Sequence, residues 1–409
     1  MKILHSSDWH LGHNLMNKDR KYEHEKFLSW LHKTIVERDI DLLLVSGDIF
    51  DTGTPPSYAL SLYYKFLSSL IGTSCKKVII TGGNHDSIST LNSPKDVLKF
   101  INVHVIGGIT DNLEDEIVEV KNSGGNVELI VCAVPYLRER DVRKSIIGGN
   151  TEERKAALGN GIKKHYEKIE EIALELRKNR YKNENIPIVV TGHLFVTGGK
   201  ISEGEKNIFV GNLDNLNSSI FSENFSYVAL GHLHRAQLVD KKENIRYSGS
   251  PIPLSFSEVG SQKEVVLIDF NGKMKIKTIE IPKFRELITI EGTPEEIREE
   301  LEKLEKKERN EKIWVEIQIK TDMWTPDFYR KFITKNVGEN YEIIKIRRLT
   351  SALPYATGNE NNIERLESFT VENIFKKLLE SKNIEENLER ELLENFQEIC
   401  ATVDLEEKS

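Results

Sequence analysis

Cysteine is scarce in this sequence, with three in 409 residues. Cys75, Cys132 and Cys400 lie far apart in the chain, and no CxxC pair occurs. Because thiolate metal sites need clustered cysteines, the sequence argues against a structural zinc site of that kind. Scattered cysteines also fit a reducing compartment, where disulfides are rare.

Long hydrophobic runs are also missing. No segment approaches the roughly 18 consecutive apolar residues that predict a membrane-spanning helix. The first residues, Met1-Lys2-Ile3-Leu4-His5, resemble the start of a strand and have no signal-peptide pattern. We therefore expect a cytoplasmic protein with no membrane partner. Its 38% hydrophobic and 30% charged residues are typical of a soluble globular protein, and its length predicts two or three domains.

Basic residues are not in excess, since the net charge is −8. Residues 359–409 hold 14 acidic and 6 basic side chains, which leaves 51 of each sign in residues 1–358. The body can therefore carry local basic surface. Because such short clusters are common on soluble proteins, a solvated charged face is favoured over a nucleic-acid contact for each candidate. The candidates are Lys18-Arg20-Lys21, Arg138-Arg140-Arg143-Lys144 and Arg347-Arg348.

The periodicity of the chain predicts several domains. From residue 1 to about residue 282, apolar strand-like runs alternate with helical segments, which indicates a layered α/β domain. Residues 283–349 are predicted to form a small βαβαβ module. A polar linker at 350–364 and a tail at 365–409 follow. The predicted helices are 23–38, 57–70, 94–100 and 152–179 in the first domain, and 371–381 and 384–398 in the tail.

Five strand-like runs each end in a short polar string that carries possible metal ligands. In open α/β sheets the ligand crevice lies outside the carboxyl ends of the strands, so the five strings can converge on one site. Taken alone, Asn84-His85-Asp86 could instead be an ordinary turn, because Asn and Asp are common where the backbone bends. The strings are Asp8-Trp9-His10, Gly47-Asp48-Ile49-Phe50-Asp51, Gly82-Gly83-Asn84-His85-Asp86, Gly192-His193 and Gly231-His232-Leu233-His234.

The order and spacing of these strings resemble the calcineurin-like metallophosphoesterases and, among them, the SbcD-like nuclease subunits. The resemblance covers most of the chain. It implies an α/β (α+β) fold, a two-sheet β-sandwich flanked by helices, with the βαβαβ module as a capping domain that contacts DNA and with a C-terminal helical tail. The strings that support it are HSSDWHLG at 5–12, GDIFDTGTPP at 47–56, PYLR at 135–138 and YSGSP at 247–251.

The resemblance also implies a site that holds two Mn²⁺ per chain, with Mg²⁺ as the alternative. Oxygen ligands mixed with imidazoles suit such ions. The bridging carboxylate, Asp48, would offset the repulsion between two cations about 3.5–4 Å apart. The ligands of one ion would be Asp8, His10, Asp48 and His234, and those of the other Asp48, Asn84, His193 and His232.

His85 is the motif histidine outside both implied ligand sets. The resemblance gives it a general-acid or charge-stabilising role at the scissile phosphate and leaving oxygen. Asp86 either orients His85 or caps the turn. Asp51 is not carried over as a ligand. The remaining histidines are interpreted as ordinary; they are His5, His13, His24, His32, His104 and His165.

The function that the resemblance implies is Mn-dependent DNA cleavage. The activities would be double-strand exonuclease and single-strand or hairpin endonuclease, within an SbcCD-type ATP-dependent DNA repair complex. The implied partners are DNA, an SbcC-type SMC-like ATPase docked on the tail, and a second copy of the chain, which makes a homodimer within a heterotetramer. Helices 57–70 and 94–100 would form the two-fold interface, with a core helix as the alternative for 57–70. The tail could instead pack back on the body.

Two other functions compete with this interpretation. One is a metal-dependent phosphomonoesterase, which uses the same metal chemistry. Against it, protein phosphatases of this superfamily place an Arg after the second string to hold phosphate, and here Asp51 is followed by Thr52. The other is a non-catalytic adaptor for an ATPase, which is disfavoured because every expected ligand is present.

Overall fold

The computed structural model describes residues 1–122, 124–142, 151–196, 216–306, 311–321 and 325–349, together with Leu392. Residues Met1–Leu349 form one compact unit. Among the described helices, none is long and apolar enough to cross a membrane. Three predicted features lie outside the described residues, apart from Leu392: the linker at 350–364, the tail helices at 371–381 and 384–398, and the basic residues 143 and 144.

Two six-stranded mixed sheets form the body of the protein. The first sheet contains, in spatial order, β14 (Lys275–Glu280), β13 (Glu264–Asp269), β1 (Lys2–Ser6), β4 (Leu42–Ser46), β5 (Lys77–Thr81) and β6 (Val103–Ile106). The second contains β11 (Gln237–Val239), β12 (Lys242–Tyr247), β10 (Tyr227–Gly231), β9 (Ile188–His193), β8 (Val127–Cys132) and β7 (Ile117–Lys121). A short ribbon joins β2 (Asn14–Leu15) to β3 (Lys18–Asp19).

The sandwich follows from alternation along the strands, because successive side chains point to opposite faces of a sheet. Ile3, Leu42 and Leu44 pack into the core between the sheets. Their neighbours Leu4 and Leu43 face the opposite way, into the helix layer. Strands buried on both faces are apolar throughout, which is how the strand runs could be recognised in the sequence.

Helices cover both outer faces of the sandwich. The helix α1 (Lys21–Glu37) and the helix α2 (Ser57–Ser69) pack on the first sheet, and α6 (Thr151–Glu175) packs on the second. The remaining short helices of the body are α3 (Ile88–Asn92), α4 (Lys95–Lys99) and α5 (Glu139–Val142). The helix α2 buries Tyr63 and Phe66, so its apolar side chains pack mainly in the core.

Parallel pairing brings the five polar strings to one edge of the sandwich. In the first sheet β1, β4, β5 and β6 are parallel, and in the second β8, β9, β10 and β12 are parallel. Because parallel strands end at the same edge of a sheet, the loops after β1, β4 and β5 lie together. Those after β9 and β10 lie together in the other sheet.

The βαβαβ module has the order that its periodicity predicts. Its three parallel strands, in the order β15-β16-β17, pack on two helices. The elements are β15 (Leu287–Gly292), α7 (Pro294–Glu305), β16 (Ile313–Lys320), α8 (Pro326–Lys335) and β17 (Tyr341–Leu349). A capping box begins α7: Glu296 N–H donates to Thr293 Oγ1 at 3.4 Å, and Thr293 N–H donates to Glu296 Oε2 at 2.8 Å.

A buried charged cluster joins this module to the body. Arg20 donates to Glu23 Oε1 at 2.6 Å, and Arg285 Nε lies 3.3 Å from the same oxygen. Both guanidinium groups lie over the ring of Trp314 in β16, at 5.5 and 4.5 Å from its centroid. The prediction that Arg20 belongs to a surface basic cluster is therefore wrong, since Arg20 is buried. Its neighbour Lys18 is half exposed and paired with Glu342 at 2.6 Å.

Candidate metal centre

The backbone at the strand ends adopts an unusual conformation. Asp8, His10, Asp48 and His232 have φ of 52°, 44°, 50° and 98°, in the left-handed region that non-glycine residues rarely occupy. Hydrogen bonds from Asp8 N–H to the Gly47 oxygen and from His10 N–H to the Asp48 oxygen, both 3.0 Å, hold the first two loops together. Strained residues of this kind cluster at functional sites, where the surrounding structure holds them.

Asp48 lies at the centre of the cluster and is buried. Its Oδ2 is 3.2 Å from His193 Nε2 and 3.5 Å from His10 Nε2. Its Oδ1 accepts the backbone N–H of His85 at 2.9 Å. Burial raises the pKa of Asp48, but the surrounding imidazoles outweigh it and hold the pKa well below its usual range. Asp48 is therefore a carboxylate that faces imidazoles contributed by both sheets.

Asn84 brings together the two histidines of the second sheet. Its Oδ1 lies 3.0 Å from His193 Nε2 and 3.0 Å from His232 Nδ1. His193 Nδ1 donates to the Ser46 oxygen at 2.9 Å, which leaves the other ring nitrogen for the site. Burial lowers the pKa of His232 to about 3, so this ring is neutral, the form that binds metal. These residues thus form a second half-site next to Asp48.

The other half-site contains Asp8, His10 and His234, whose ligand atoms lie within 4.8 Å of one another. Asp8 is buried, accepts a hydrogen bond from Ser7 Oγ, and accepts the His232 N–H at 2.9 Å. Burial raises the pKa of Asp8 to about 6 and lowers that of His10 to about 4. Asp8 also groups with Asp48 and His193 within the same distance, so the two half-sites are continuous.

The surroundings of the His10 ring show whether the cluster is suited to a metal ion. Its Nδ1 lies 3.1 Å from Asp51 Oδ1, and its Nε2 is buried with no hydrogen-bond partner among the described residues. A buried nitrogen left unpaired is costly, and it is rare without an ion or a water to satisfy it. A histidine with a carboxylate at one ring nitrogen and the other turned into an acidic cluster is arranged as metal ligands are. The cluster therefore fits divalent cations.

His85 lies beside this cluster. Its Nδ1 donates to the main-chain oxygen of Asp51 at 2.8 Å, and its ring centroid is 4.9 Å from that of His10. Asp86 does not orient His85: its carboxylate accepts the N–H groups of Ile49 at 3.1 Å, Phe50 at 2.9 Å and Gly83 at 2.9 Å. Of the two alternatives for Asp86, the structure supports turn capping.

Three residues around the cluster were not assigned a role from the sequence. Asp51 Oδ1 also lies 3.0 Å from His13 Nδ1, so His13 is not an isolated histidine. Glu258 is buried, and its Oε1 is 3.6 Å from His234 Nδ1. His13 lies three residues after His10, which ends the first string, and could have been noticed in the sequence. Glu258 lies in a Ser-rich stretch and carried no signal.

The comparisons with known proteins agree with this geometry. A sequence model of the calcineurin-like phosphoesterase family matches residues 1–236, and a model described as the Type 5 capsule protein repressor C-terminal domain matches residues 283–383. The chain is 34% identical over 401 residues to the SbcD subunit of the SbcCD nuclease from Escherichia coli (strain K12), and the match covers 97% of each chain.

Proteins of the same name from two other bacteria also match. The Rhodobacter capsulatus protein is 32% identical over 293 residues, covering 69% of this chain and 70% of that one. The Bacillus subtilis (strain 168) protein is 32% identical over 270 residues, covering 66% of each. The chain therefore belongs to the calcineurin-like phosphoesterase family and, within it, to the SbcD family of metal-dependent nuclease subunits.

Proposed function

We propose that this chain cleaves DNA phosphodiester bonds with two divalent ions, preferably Mn²⁺, as the nuclease subunit of an SbcCD-type DNA repair complex. The activities proposed are those of a double-strand exonuclease and a single-strand or hairpin endonuclease. The observation that carries the proposal is the position of Asp48, whose carboxylate faces His10 of one half-site and His193 of the other. The names of the relatives from three bacteria support the assignment to DNA and to an SbcC-type partner.

In this proposal the chain holds the two ions between its sheets. The first set of ligands is Asp8, His10, Asp48 and His234, and the second is Asp48, Asn84, His193 and His232. When bound, two such ions neutralise charge on a phosphodiester and make water a better nucleophile at neutral pH. Ligands from two sheets with buried, hydrogen-bonded backbones keep this geometry in place without reorganisation during the reaction.

His85 is the proposed proton donor. Because its Nδ1 donates to a carbonyl oxygen, the ring keeps Nε2 for a proton that it can give up. The backbone N–H of His85 is tied to Asp48, so the ring has a fixed position relative to the ligands. A protonated Nε2 can then neutralise the leaving oxygen of the cleaved strand.

The remaining assignments concern the partners. Residues 283–349 are proposed as the capping domain that helps to hold DNA over the site. The tail, 365–409, is proposed to dock on the SMC-like ATPase, after the linker at 350–364. A homodimer is supported by two exposed apolar side chains, Val97 in α4 at 72% and Phe100 just after it at 89%. Large apolar side chains exposed side by side are typical of an interaction surface.

The test compares wild-type protein with Asp48→Ala on duplex, single-stranded and hairpin DNA, each with Mn²⁺ or Mg²⁺. Asp111→Ala, at an exposed aspartate far from the polar strings in sequence, is the matched control. We expect Asp48→Ala to lose all cleavage and binding of a pair of Mn²⁺ ions in calorimetry, while the control keeps both. Two ions still bound to Asp48→Ala would show that Asp48 is not the bridging ligand.

The same preparation distinguishes the competing phosphomonoesterase. Turnover of p-nitrophenyl phosphate well above cleavage of any DNA substrate would favour a small-molecule or phosphoprotein substrate. Cleavage of DNA with little turnover of the monoester favours the nuclease. Repeating the duplex assay with the ATPase partner and ATP then tests the assignment to a complex.

A further inference from the structure

The loop of residues 250–258 lies between the metal centre and the βαβαβ module. On one side Leu254 O lies 3.1 Å from His13 Nε2. On the other side Pro253 O accepts a hydrogen bond from Arg20 at 2.8 Å. Phe256 packs with Trp314 of β16 in a small cluster that also contains Leu15 and Leu287. The loop is therefore in contact with both parts of the protein.

Glu258 is the charged group at the end of this loop, and it is fully buried. Its Oε2 accepts Lys263 Nζ at 2.5 Å, Ser250 Oγ at 3.3 Å and Leu254 N–H at 3.3 Å. Its Oε1 accepts Ser255 Oγ at 3.3 Å and lies 3.6 Å from His234 Nδ1. Both oxygens thus hold the loop together, and Oε1 also faces an imidazole of the metal centre.

The backbone of His234 is held by the same group of residues. The His234 carbonyl oxygen accepts Lys263 Nζ at 2.9 Å, Ser250 N–H at 3.1 Å and Ser250 Oγ at 3.3 Å. Lys263 therefore joins the carboxylate of Glu258 to the main chain of His234. Both the ring and the peptide of His234 are connected to Glu258, which makes Glu258 well placed to set the orientation of the ring.

The loop reaches His10 as well, through a chain of contacts. His13, whose Nε2 lies at Leu254 O, has its Nδ1 3.0 Å from Asp51 Oδ1. The same oxygen lies 3.1 Å from His10 Nδ1. His10 and His234, whose rings are 5.1 Å apart, are thus both connected to this loop, His10 by way of Leu254 and His234 at Glu258. By contrast, the outward-facing nitrogen of His193 is held by Ser46 O, which is not part of this loop.

We propose that Glu258 is a positioning residue for the metal ligand His234. The carboxylate holds the ring in the tautomer that carries its proton on Nδ1, so that the lone pair of Nε2 is directed at the ion. The inference rests on the proposed function, because it takes His234 as a ligand. It adds a residue that acts on only one of the two proposed ions. It also gives a reason why Oε1 of this buried carboxylate faces the site as well as the loop.

If Glu258 only stabilised the fold, its substitution would not weaken Mn²⁺ binding at one site alone. A buried ion pair such as Glu258–Lys263 stabilises or destabilises the fold whether or not a metal binds. Glu116 provides the matched comparison, because it is also fully buried and its Oε2 lies 2.8 Å from His165 Nε2. Glu116 is not among the residues that surround the proposed ions.

The experiment measures Mn²⁺ binding by calorimetry for the wild type, Glu258→Gln, Glu258→Asp and Glu116→Gln. Loss of an outer carboxylate lowers metal affinity by roughly 10–100-fold. We expect that loss at one of the two sites in both Glu258 variants, with the other site and Glu116→Gln unchanged. The Asp variant keeps the charge but shortens the side chain by one methylene. If the Gln variant does not fold, the Asp variant still tests whether the carboxylate must reach the His234 ring.

A second readout needs no metal. Nitrogen-15 NMR of the chelated protein reports the tautomer of each histidine ring, and His234 is assigned by His234→Gln. We expect the Nδ1-protonated form in the wild type and in Glu116→Gln, and a mixture of tautomers in Glu258→Gln. Wild-type affinity at both sites, or an equal loss in Glu116→Gln, would overturn the proposal. If Asp48→Ala also kept both ions, the proposed function itself would be wrong, so the two failures are distinguishable.

Discussion

The backbone N–H of His85 donates a 2.9 Å hydrogen bond to Asp48 Oδ1, so the proposed proton donor is tied to the proposed bridging ligand. The ring of His85 is held separately, by the main-chain oxygen of Asp51 at 2.8 Å. The backbone nitrogen of His85 contacts Asp48, and its ring contacts Asp51. A change in the His85 side chain therefore leaves the hydrogen bond to Asp48 in place. Chemistry and metal assembly can therefore be separated by substitution at this position.

The first prediction concerns His85→Gln. Glutamine keeps a hydrogen-bonding side chain of similar reach but cannot deliver a proton near neutral pH. We expect metal content and DNA affinity to stay at the wild-type level, while turnover falls by about 10²–10⁴-fold, as when a general acid is lost. Loss of one ion along with activity would make His85 a ligand. Near wild-type turnover would show that another group protonates the leaving oxygen.

The second prediction concerns Gly83, where a β-carbon would overlap the carboxylate and the backbone nitrogen of Asp48. Because the Asp48 carboxylate also accepts the His85 N–H, Gly83→Ala must displace the loop that carries Asp48. We expect Mn²⁺ binding to weaken and the free energy of unfolding to fall by about 1–3 kcal/mol, as in overpacked cores. Calorimetry and thermal unfolding measure the two effects.

Gly53→Ala is the control for Gly83→Ala, because a β-carbon there meets nothing closer than Ser87 Cβ at 3.6 Å. That variant should behave as the wild type in both measurements. If Gly83→Ala binds two ions with unchanged affinity, the position of Asp48 does not depend on the close approach of the glycine backbone.

The third prediction concerns the homodimer. Phe66 is not a suitable probe, since it is buried with its ring centroid 5.5 Å from that of Trp9. Val97 and Phe100 are exposed on and after α4, so Val97→Asp with Phe100→Asp should shift the protein toward monomer without unfolding it. Val36→Asp, at a 44% exposed position on α1, is the control. Light scattering that finds a wild-type monomer at micromolar concentration would remove the basis of the prediction.

The fourth prediction concerns the acidic tail. Deleting residues 359–409 should leave metal-dependent cleavage of single-stranded DNA at the wild-type level, because no proposed ligand lies in the deleted segment. Association with the SMC-like ATPase should be lost, and co-purification of the two proteins measures it. A truncated protein that still co-purifies with the ATPase would place the docking site elsewhere.

Much of the architecture could be predicted because its signals are local. Apolar strand runs and helical periodicity depend on neighbours in the chain, and they predicted a layered α/β domain, its helices and the βαβαβ module. The two-sheet sandwich was implied by the family resemblance. The five polar strings could be predicted to meet for a related reason. Parallel strands end at one edge of a sheet, so residues that follow them directly are brought together whatever the details of packing.

Only the tertiary structure decided the contacts between residues that are far apart in the sequence. Arg20 looked like a surface cation in sequence, but the βαβαβ module buries it against Trp314. From the sequence, Asp86 could either orient His85 or cap the turn. In the structure its carboxylate accepts backbone N–H groups of the Asp48 loop, which supports capping. Glu258 has no local signal at all. Its proposed role depends on a histidine 24 residues earlier and a lysine 5 residues later, which meet only when the loop folds over the end of β10.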